Sequence, residues 1–308
     1  LWRTDGTQDG TYMVKDINPG TENSSPFPIN VVGDTLFLYA EEDYTKGREL
    51  WKTDGTADGT VMVKDINPDD WDAGITESVV IGDTIYFNGQ WDNTEGAVGM
   101  ELWKSDGTEE GTVVVKDILD GPSGGNPIHL VTVGDTLFFR ANDGIHGNEL
   151  WKSDGTANGT ILVKDINPDG GQQWMQMVAM DNILYFDATN GSTGRQLWRS
   201  DGTADGTYMI KEIDNIEYMR PFGNILFFGA RYDDDDLNTD GQELWRSDGT
   251  TEGTVPLGDF NPGSSNSYPR NIQKIGNHII FAASPQHGHR QISLYDPMNI
   301  TFDEPVWQ

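Results

Sequence analysis

One motif is copied six times along this chain, and that repetition limits its fold more than any other feature. The clearest copy runs from Glu149 to Ile166, and Leu-Trp opens every copy. A repeat of this kind indicates one supersecondary unit that has been duplicated, not a set of unrelated domains. The six tryptophans stand 47 to 52 residues apart, at Trp2, Trp51, Trp103, Trp151, Trp198 and Trp245.

Each copy of the motif predicts a β-hairpin. Asp-Gly-Thr-x-x-Gly-Thr supplies the turn, because Asp can cap it locally and Gly can adopt positive φ. Leu-Trp on one side and Val-x-Val-Lys on the other favour strands. In the register we expect, Trp51 lies opposite Met62 and Glu49 lies opposite Lys64, a cross-strand pair of opposite charges.

A second hairpin precedes each of these, with turns such as Gly82-Asp83 and Gly134-Asp135 between apolar runs. The strand that follows, for example Leu36–Tyr39, is apolar without alternation, which is typical of a strand buried on both faces. Four short strands per repeat predict an all-β fold, a β-propeller of four-stranded blades. A linear β-solenoid or an array of small sandwiches is the alternative.

The repeat count favours six blades within a single domain, residues 1–308, with seven blades as the alternative. We expect residues 1–17 to close the last blade; if that blade is instead self-complete, this hairpin belongs to a seventh blade or pairs with another subunit. The chain begins inside a repeat at Leu1, as a processed or excised piece would. The approximate blades are 26–66, 77–118, 127–166, 172–213, 215–260 and 267–308.

Charge excludes some partners. The chain has 50 Asp and Glu against 20 Lys and Arg, a formal net charge of −30. Nucleic acid and anionic membranes would be repelled, and no apolar run is long enough to span a bilayer. The chain has no cysteine, which excludes disulfides and a thiolate nucleophile.

Two groups of residues are candidate binding sites, and neither indicates catalysis. Alternating oxygen ligands before Gly241 match the opening of a Ca²⁺ loop, with a solvated acidic insertion as the alternative. Aromatic residues in the long variable loops could stack on sugars, or could simply pack over blade ends. The predicted metal ligands are Asp234, Asp236, Asn238 and Asp240. The predicted ligand-binding residues are Trp71, Trp91, Trp174 and Tyr232.

The sequence Glu-Leu-Trp-Lys-Ser-Asp-Gly-Thr, at residues 101–108 and 149–156, resembles the ELWxxDGT repeat family of secreted bacterial proteins. The resemblance implies an extracellular or cell-surface protein with propeller-like repeats and no defined enzymatic activity. We therefore expect a non-enzymatic structural or adhesive propeller, possible partners being other subunits in a homo-oligomer or filament, or surface glycans. A glycan-binding propeller and a carbohydrate-active hydrolase or lyase are the alternatives.

Overall fold

The computed structural model of this chain is all-β. It describes residues 1–43, 45–91, 97–171, 176–192, 194–231, 241–261 and 265–284, with the backbone of 291–295. The described residues form 25 strands. They include no helix that is long and apolar enough to cross a membrane. The chain divides into two compact units, Leu1–Asp165 and Ile166–Gln308.

The first unit contains one two-stranded sheet and three four-stranded antiparallel meanders. The two-stranded sheet consists of β1 (Trp2–Arg3) and β2 (Tyr12–Met13). The meanders consist of β3 (Phe27–Val32), β4 (Thr35–Glu41), β5 (Arg48–Thr53) and β6 (Val61–Lys64); of β7 (Ser78–Ile81), β8 (Thr84–Trp91), β9 (Gly99–Ser105) and β10 (Val113–Lys116); and of β11 (Ile128–Val133), β12 (Thr136–Asn142), β13 (Asn148–Ser153) and β14 (Ile161–Lys164).

The second unit contains two four-stranded meanders and one three-stranded sheet. The meanders consist of β15 (Met177–Met180), β16 (Ile183–Ala188), β17 (Gln196–Ser200) and β18 (Tyr208–Lys211); and of β19 (Asp214–Phe222), β20 (Ile225–Arg231), β21 (Gln242–Ser247) and β22 (Val255–Pro256). The three-stranded sheet consists of β23 (Arg270–Ile275), β24 (His278–Ala283) and β25 (Gln291–Tyr295).

Repeated four-stranded meanders agree with the predicted β-propeller class. The second strand of each meander is buried along most of its length, which confirms that it is covered on both faces. Apolar clusters fill the spaces between consecutive sheets. In one of them, Phe37 and Leu50 pack against Phe87 and Trp103 of the following sheet. The number of blades and the closure by residues 1–17 stay predictions.

The turn of the repeated motif is held by its own side chains. In the third meander, Asp154 Oδ1 accepts the backbone N–H and the hydroxyl of Thr156, at 2.9 and 2.7 Å. Ser153 and Thr160 share a hydroxyl–hydroxyl hydrogen bond of 2.7 Å across the base of the turn. The same Asp–Thr pair recurs in all six copies. These aspartates therefore act as structural caps, as their position predicts.

The two glycines of the turn have different roles. Gly155 has a φ of 84°, in the left-handed region that favours glycine. Gly159 has no such φ, but a Cβ built on it would overlap the Asp154 carboxylate. The sequence predicts only the first role. The second glycine is required because the capping side chain occupies the space that a methyl group would need.

The predicted Glu–Lys cross-strand pairs are wrong. Trp51 does lie opposite Met62, but a bulge then places Lys64 opposite Leu50, not opposite Glu49. The lysine instead reaches the neighbouring sheet, where its Nζ donates to the carbonyl oxygen of Thr112 at 2.9 Å.

The same contact to the motif's last threonine recurs from Lys15, Lys116 and Lys211. The basic residue directly after the tryptophan makes a second contact of this kind, to the carbonyl oxygen of the first turn glycine in the next sheet. Lys52 Nζ donates to the Gly107 carbonyl, and Lys104 Nζ donates to the Gly155 carbonyl. Within each unit, lysines of one repeat thus satisfy turn carbonyls of the next repeat. The lysine side chains therefore join sheets to one another and do not pair across a single sheet.

We expect Gly159→Ala to lower the free energy of unfolding by about 1–3 kcal/mol, because the new methyl group must displace the Asp154 cap. Urea denaturation followed by circular dichroism measures this loss. Gly170→Ala is the control, since Gly170 has no positive φ and a Cβ there would meet only Asn167 Nδ2, at an ordinary contact distance of 3.6 Å. The double variant Asp154→Ala/Gly159→Ala should lose little more than Asp154→Ala alone. Full additivity would contradict the steric explanation.

Candidate functional site

The first strands of the meanders differ from one another in conformation and chemistry. In the first unit β7 contacts both β3 and β11, so these first strands lie side by side. Bulges interrupt β3 between Pro28 and Asn30, and β11 between Ile128 and Val131. Bulges of this type re-aim side chains and often lie beside functional sites.

One position of the first strand is strained in several repeats. His129 has a φ of 59°, although it is not glycine. In the second unit, Tyr218 and Asn271 have φ of 58° and 55°. Each stands five residues before the glycine of its hairpin turn, and Glu77 occupies the equivalent place in its own repeat. Left-handed backbone at non-glycine residues is costly and clusters at binding sites, so this level of the first strands is the candidate site.

In the first unit a cavity of about 300 Å³ lies at this level. Apolar side chains of β3, of β11 and of the segment before β7 line it, and polar residues of that segment and of β7 form the remainder of its wall. Such a mixture is typical of sites that bind organic ligands. The apolar residues are Phe27, Ile29, Ile75 and Leu130, and the polar ones are Thr76, Glu77 and Ser78.

The backbone around Glu77 is fixed by a neighbouring amide. Asn88 Oδ1 accepts the N–H groups of Thr76 and Glu77 at 3.0 and 2.9 Å, and its Nδ2 donates to the Thr76 hydroxyl at 2.7 Å. The Glu77 carboxylate accepts the N–H of Leu130 at 3.0 Å through Oε2. Glu77, directly before β7, thus joins the start of that strand to β11, and its carboxylate is held at the cavity.

Glu77 has two basic neighbours. Burial lowers the pKa of His129, an effect that the charge of Glu77 opposes and that of Arg140 reinforces. Burial also lowers the pKa of the Arg140 guanidinium, while Glu77 again acts in the opposite direction. Burial and Arg140 thus favour the neutral form of the imidazole over the charged form. Ser78 Oγ lies 3.4 Å from Asn30 Nδ2 and donates at 3.5 Å to the Ile29 carbonyl, so it is not paired with His129.

A second set of buried acids has a structural role. Glu49 Oε2 accepts the N–H of Ile66 at 2.6 Å, and Glu101 Oε1 accepts the N–H groups of Leu119 and Gly125 at 3.1 and 2.6 Å. In the same way Glu243 ties down the loop that leaves β22. Burial raises the pKa of Glu49 to about 9, and raises the pKa of Glu101 and of Glu243 to about 7.

Of the residues predicted to bind ligand, the structure describes Trp71 and Trp91, and they do not form one site. Trp71 is half-exposed. Trp91 is partly buried, and its ring meets Trp103 edge-on at 6.5 Å between centroids, so it packs over a blade end. Within the described residues, no cluster of His, Asp or Glu could hold a metal ion. The predicted ligands Trp174, Tyr232, Asp234, Asp236, Asn238 and Asp240 lie outside the described residues, and calcium binding stays a prediction.

Sequence reasoning missed the first-strand site. Its strongest signal is a change of residue type at one register position, from Glu77 to His129 to Tyr218, within otherwise similar repeats. A positive φ at residues other than glycine leaves no mark in the sequence. His146, in a loop between β12 and β13, also has a partner that was not predicted, because its Nδ1 lies 2.7 Å from Asp143 Oδ2.

Comparison with known proteins identifies similar folds only. No family model and no curated protein matches the chain. A solved prolyl endopeptidase is 12% identical over 97% of this chain and 47% of its own, with a TM-score of 0.54. Prolyl oligopeptidase B from Galerina marginata is 12% identical over 89% of this chain and 42% of its own, with a TM-score of 0.51. Oligopeptidase B from Leishmania major is 11% identical over 97% of this chain and 45% of its own, with a TM-score of 0.50.

These similarities correct the functional expectation. The chain spans less than half the length of these three structures, and at such identity they show the fold alone. All three are peptidases, so the comparison contradicts the predicted non-enzymatic structural or adhesive propeller and gives it no support.

We expect stability to fall as the pH rises, in part because of Glu49. A glutamate in the unfolded chain ionises near pH 4.5, whereas burial raises the pKa of Glu49 to about 9 in the folded state. Stability from this group is thus complete below pH 4.5 and is lost as the pH rises towards 9. Glu49→Gln should flatten the decline, since Gln196 already occupies the equivalent position in β17.

Urea midpoints measured at pH 5, 7 and 9 give the slope for the wild type and for Glu49→Gln. Glu110→Gln serves as the control, because Glu110 is an exposed acid of a motif turn. An unchanged slope in Glu49→Gln would show that Glu49 is ionised in the folded protein throughout this range.

Proposed function

We propose that this chain is a peptide-binding β-propeller and serves as the propeller part of a peptide-processing protein. The observation that carries the proposal is the cavity on the first strands β3, β7 and β11, with its strained bulge at His129. The fold likeness to prolyl endopeptidase and the oligopeptidases supports it, because those proteins act on peptides. The proposal assigns binding, and no catalytic step, to the described residues.

A peptide fits the chemistry of this cavity. An extended backbone needs hydrogen-bond partners, and bulged strands present N–H and C=O groups that are not used within the sheet. Phe27, which is 64% exposed, together with Ile29 and Leu130, offers an apolar surface for one side chain. Glu77 is the acidic group of the wall, whereas Arg140 is buried. We therefore favour a peptide with an apolar residue next to Lys or Arg.

The overall charge favours the same ligand. A net charge of −30 creates a negative potential that raises the association rate of cationic peptides and weakens with salt.

The proposal also includes six blades, membership of the ELWxxDGT family, an extracellular location and a calcium loop at residues 234–240. The six Leu-Trp motifs support six blades. The Glu-Leu-Trp-Lys-Ser-Asp-Gly-Thr sequences support the family membership and, through it, the extracellular location. The Asp-x-Asn-x-Asp-Gly sequence supports the calcium loop.

We expect Glu77→Gln to weaken binding of an apolar–Arg peptide by about tenfold, or ~1.4 kcal/mol, because one ion pair is lost. Fluorescence anisotropy with labelled short peptides measures the change. A peptide of the same length with Glu in place of Arg should bind poorly to the wild type and gain affinity in the variant. Glu110→Gln removes the same charge from a motif turn and should leave the affinity within about twofold.

The cavity itself is tested by Phe27→Ser, which keeps Glu77 and removes the exposed apolar ring. Both peptides should then bind less tightly, because the apolar contact is common to them. If neither variant changes the affinity, or if the peptides do not bind the wild type, the first strands β3, β7 and β11 are not a peptide site.

A further inference from the structure

The segment between β6 and β7 carries an exposed aromatic ring, that of Trp71, which is 52% exposed. The exposed rings of Tyr12, Tyr208 and Tyr268 each have an arginine of this chain over them, with the guanidinium carbon 5.4, 5.5 and 6.0 Å from the ring centroid. Within the described part of the chain, no lysine or arginine lies over the ring of Trp71. Tryptophan is the ring that cations favour most, so this face is available to a cation from a ligand.

The loop that carries Trp71 is held firmly against the start of β5. Arg48 donates to the Asp72 carboxylate from its backbone N–H at 2.7 Å, and from Nε and Nη2 at 3.0 and 2.6 Å. The N–H of Ala73 donates to the Arg48 carbonyl at 2.9 Å. Gly47 packs so closely that a Cβ built on it would overlap the Trp71 carbonyl. The ring therefore stands on a fixed backbone, which reduces the entropy lost when a ligand binds.

The same segment leads directly into the cavity of the first strands. Gly74 donates its N–H to the Tyr39 hydroxyl at 2.9 Å, and the next residue, Ile75, lines the cavity. Tyr39 lies opposite Phe27, another residue of the cavity wall. Trp71 precedes Ile75 by four residues, which span at most about 14 Å when fully extended. A short peptide seated in the cavity therefore reaches the ring of Trp71.

Asp70 places a negative charge beside this ring. It is exposed and directly precedes Trp71. The ion pairs of the described residues do not include Asp70, whereas Asp72 is paired with Arg48. An aromatic face next to a carboxylate without a counter-charge suits a guanidinium or ammonium group, because the ring attracts the cation and the carboxylate accepts its N–H groups.

We propose that Trp71 and Asp70 form a second subsite of the peptide site, which binds the side chain of an arginine or a lysine. This inference rests on the proposed peptide binding in the cavity and specifies its ligand. The ligand is a peptide with two basic residues, one paired with Glu77 and the other placed over the Trp71 ring. A peptide with a single basic residue uses only the first of these contacts.

A set of labelled peptides tests the subsite. Each keeps the apolar–Arg pair and carries a second Arg roughly two to five residues away on either side, and its match has Gln in place of that second Arg. We expect fluorescence anisotropy to show about fivefold tighter binding to the wild type at one spacing. Trp71→Leu should abolish this gain, because it removes the π face. Trp71→Phe should retain part of it, and Asp70→Asn should reduce it by about half.

Two variants serve as matched controls. Tyr208→Leu removes a ring that is 45% exposed and already lies under Arg199, and Asp58→Asn removes an exposed acid of a motif turn. Both should leave the gain unchanged. The Gln peptides should bind Trp71→Leu as tightly as they bind the wild type, which checks that the variant is folded and that its cavity is intact.

The outcomes separate the subsite from the cavity. An equal gain at every spacing would show attraction to the overall charge, and an equal gain in the wild type and Trp71→Leu would show that the second Arg binds elsewhere. Either result overturns the subsite and leaves peptide binding in the cavity standing. Failure of the Gln peptides to bind the wild type would overturn both.

Discussion

Every repeat depends on a hydrogen bond between an aspartate and a threonine two residues later. Asp154 Oδ1 takes both the N–H and the hydroxyl of Thr156, and this closes the turn without help from any other strand. The turn then presents carbonyl oxygens outward, where lysines of the preceding sheet bind them. A local interaction thus creates the acceptors on which the packing of neighbouring sheets relies.

The sequence is sufficient to predict the hairpins and the buried second strands, because turn residues and apolar runs mark them directly. It does not reveal the bulge that sets Lys64 opposite Leu50, since one extra residue in a strand leaves composition and spacing nearly unchanged. The role of Gly159 is hidden for a similar reason, because it depends on where the Asp154 carboxylate lies.

The candidate site was harder to predict than the fold. The sequence predicts a binding site in the long variable loops and their tryptophans, yet Trp91 packs edge-on against Trp103. The cavity lies instead on short strands that look regular in sequence. Its distinguishing property is the backbone conformation at His129, which only coordinates can show. The repeats therefore separate a uniform frame from one strand position at which Glu77, His129 and Tyr218 differ.

The lysine contacts between sheets also bear on how such a chain can change over time. A whole repeat brings both its donor, as Lys116 does, and its acceptor, as Thr112 does. Unequal recombination that adds or removes one repeat therefore leaves every remaining donor with a suitable acceptor. Loss of half a repeat would remove either the lysine or the threonine and leave the other without its partner. Gene-length variation among descendants of this chain should accordingly occur in steps of about 50 residues, one blade at a time.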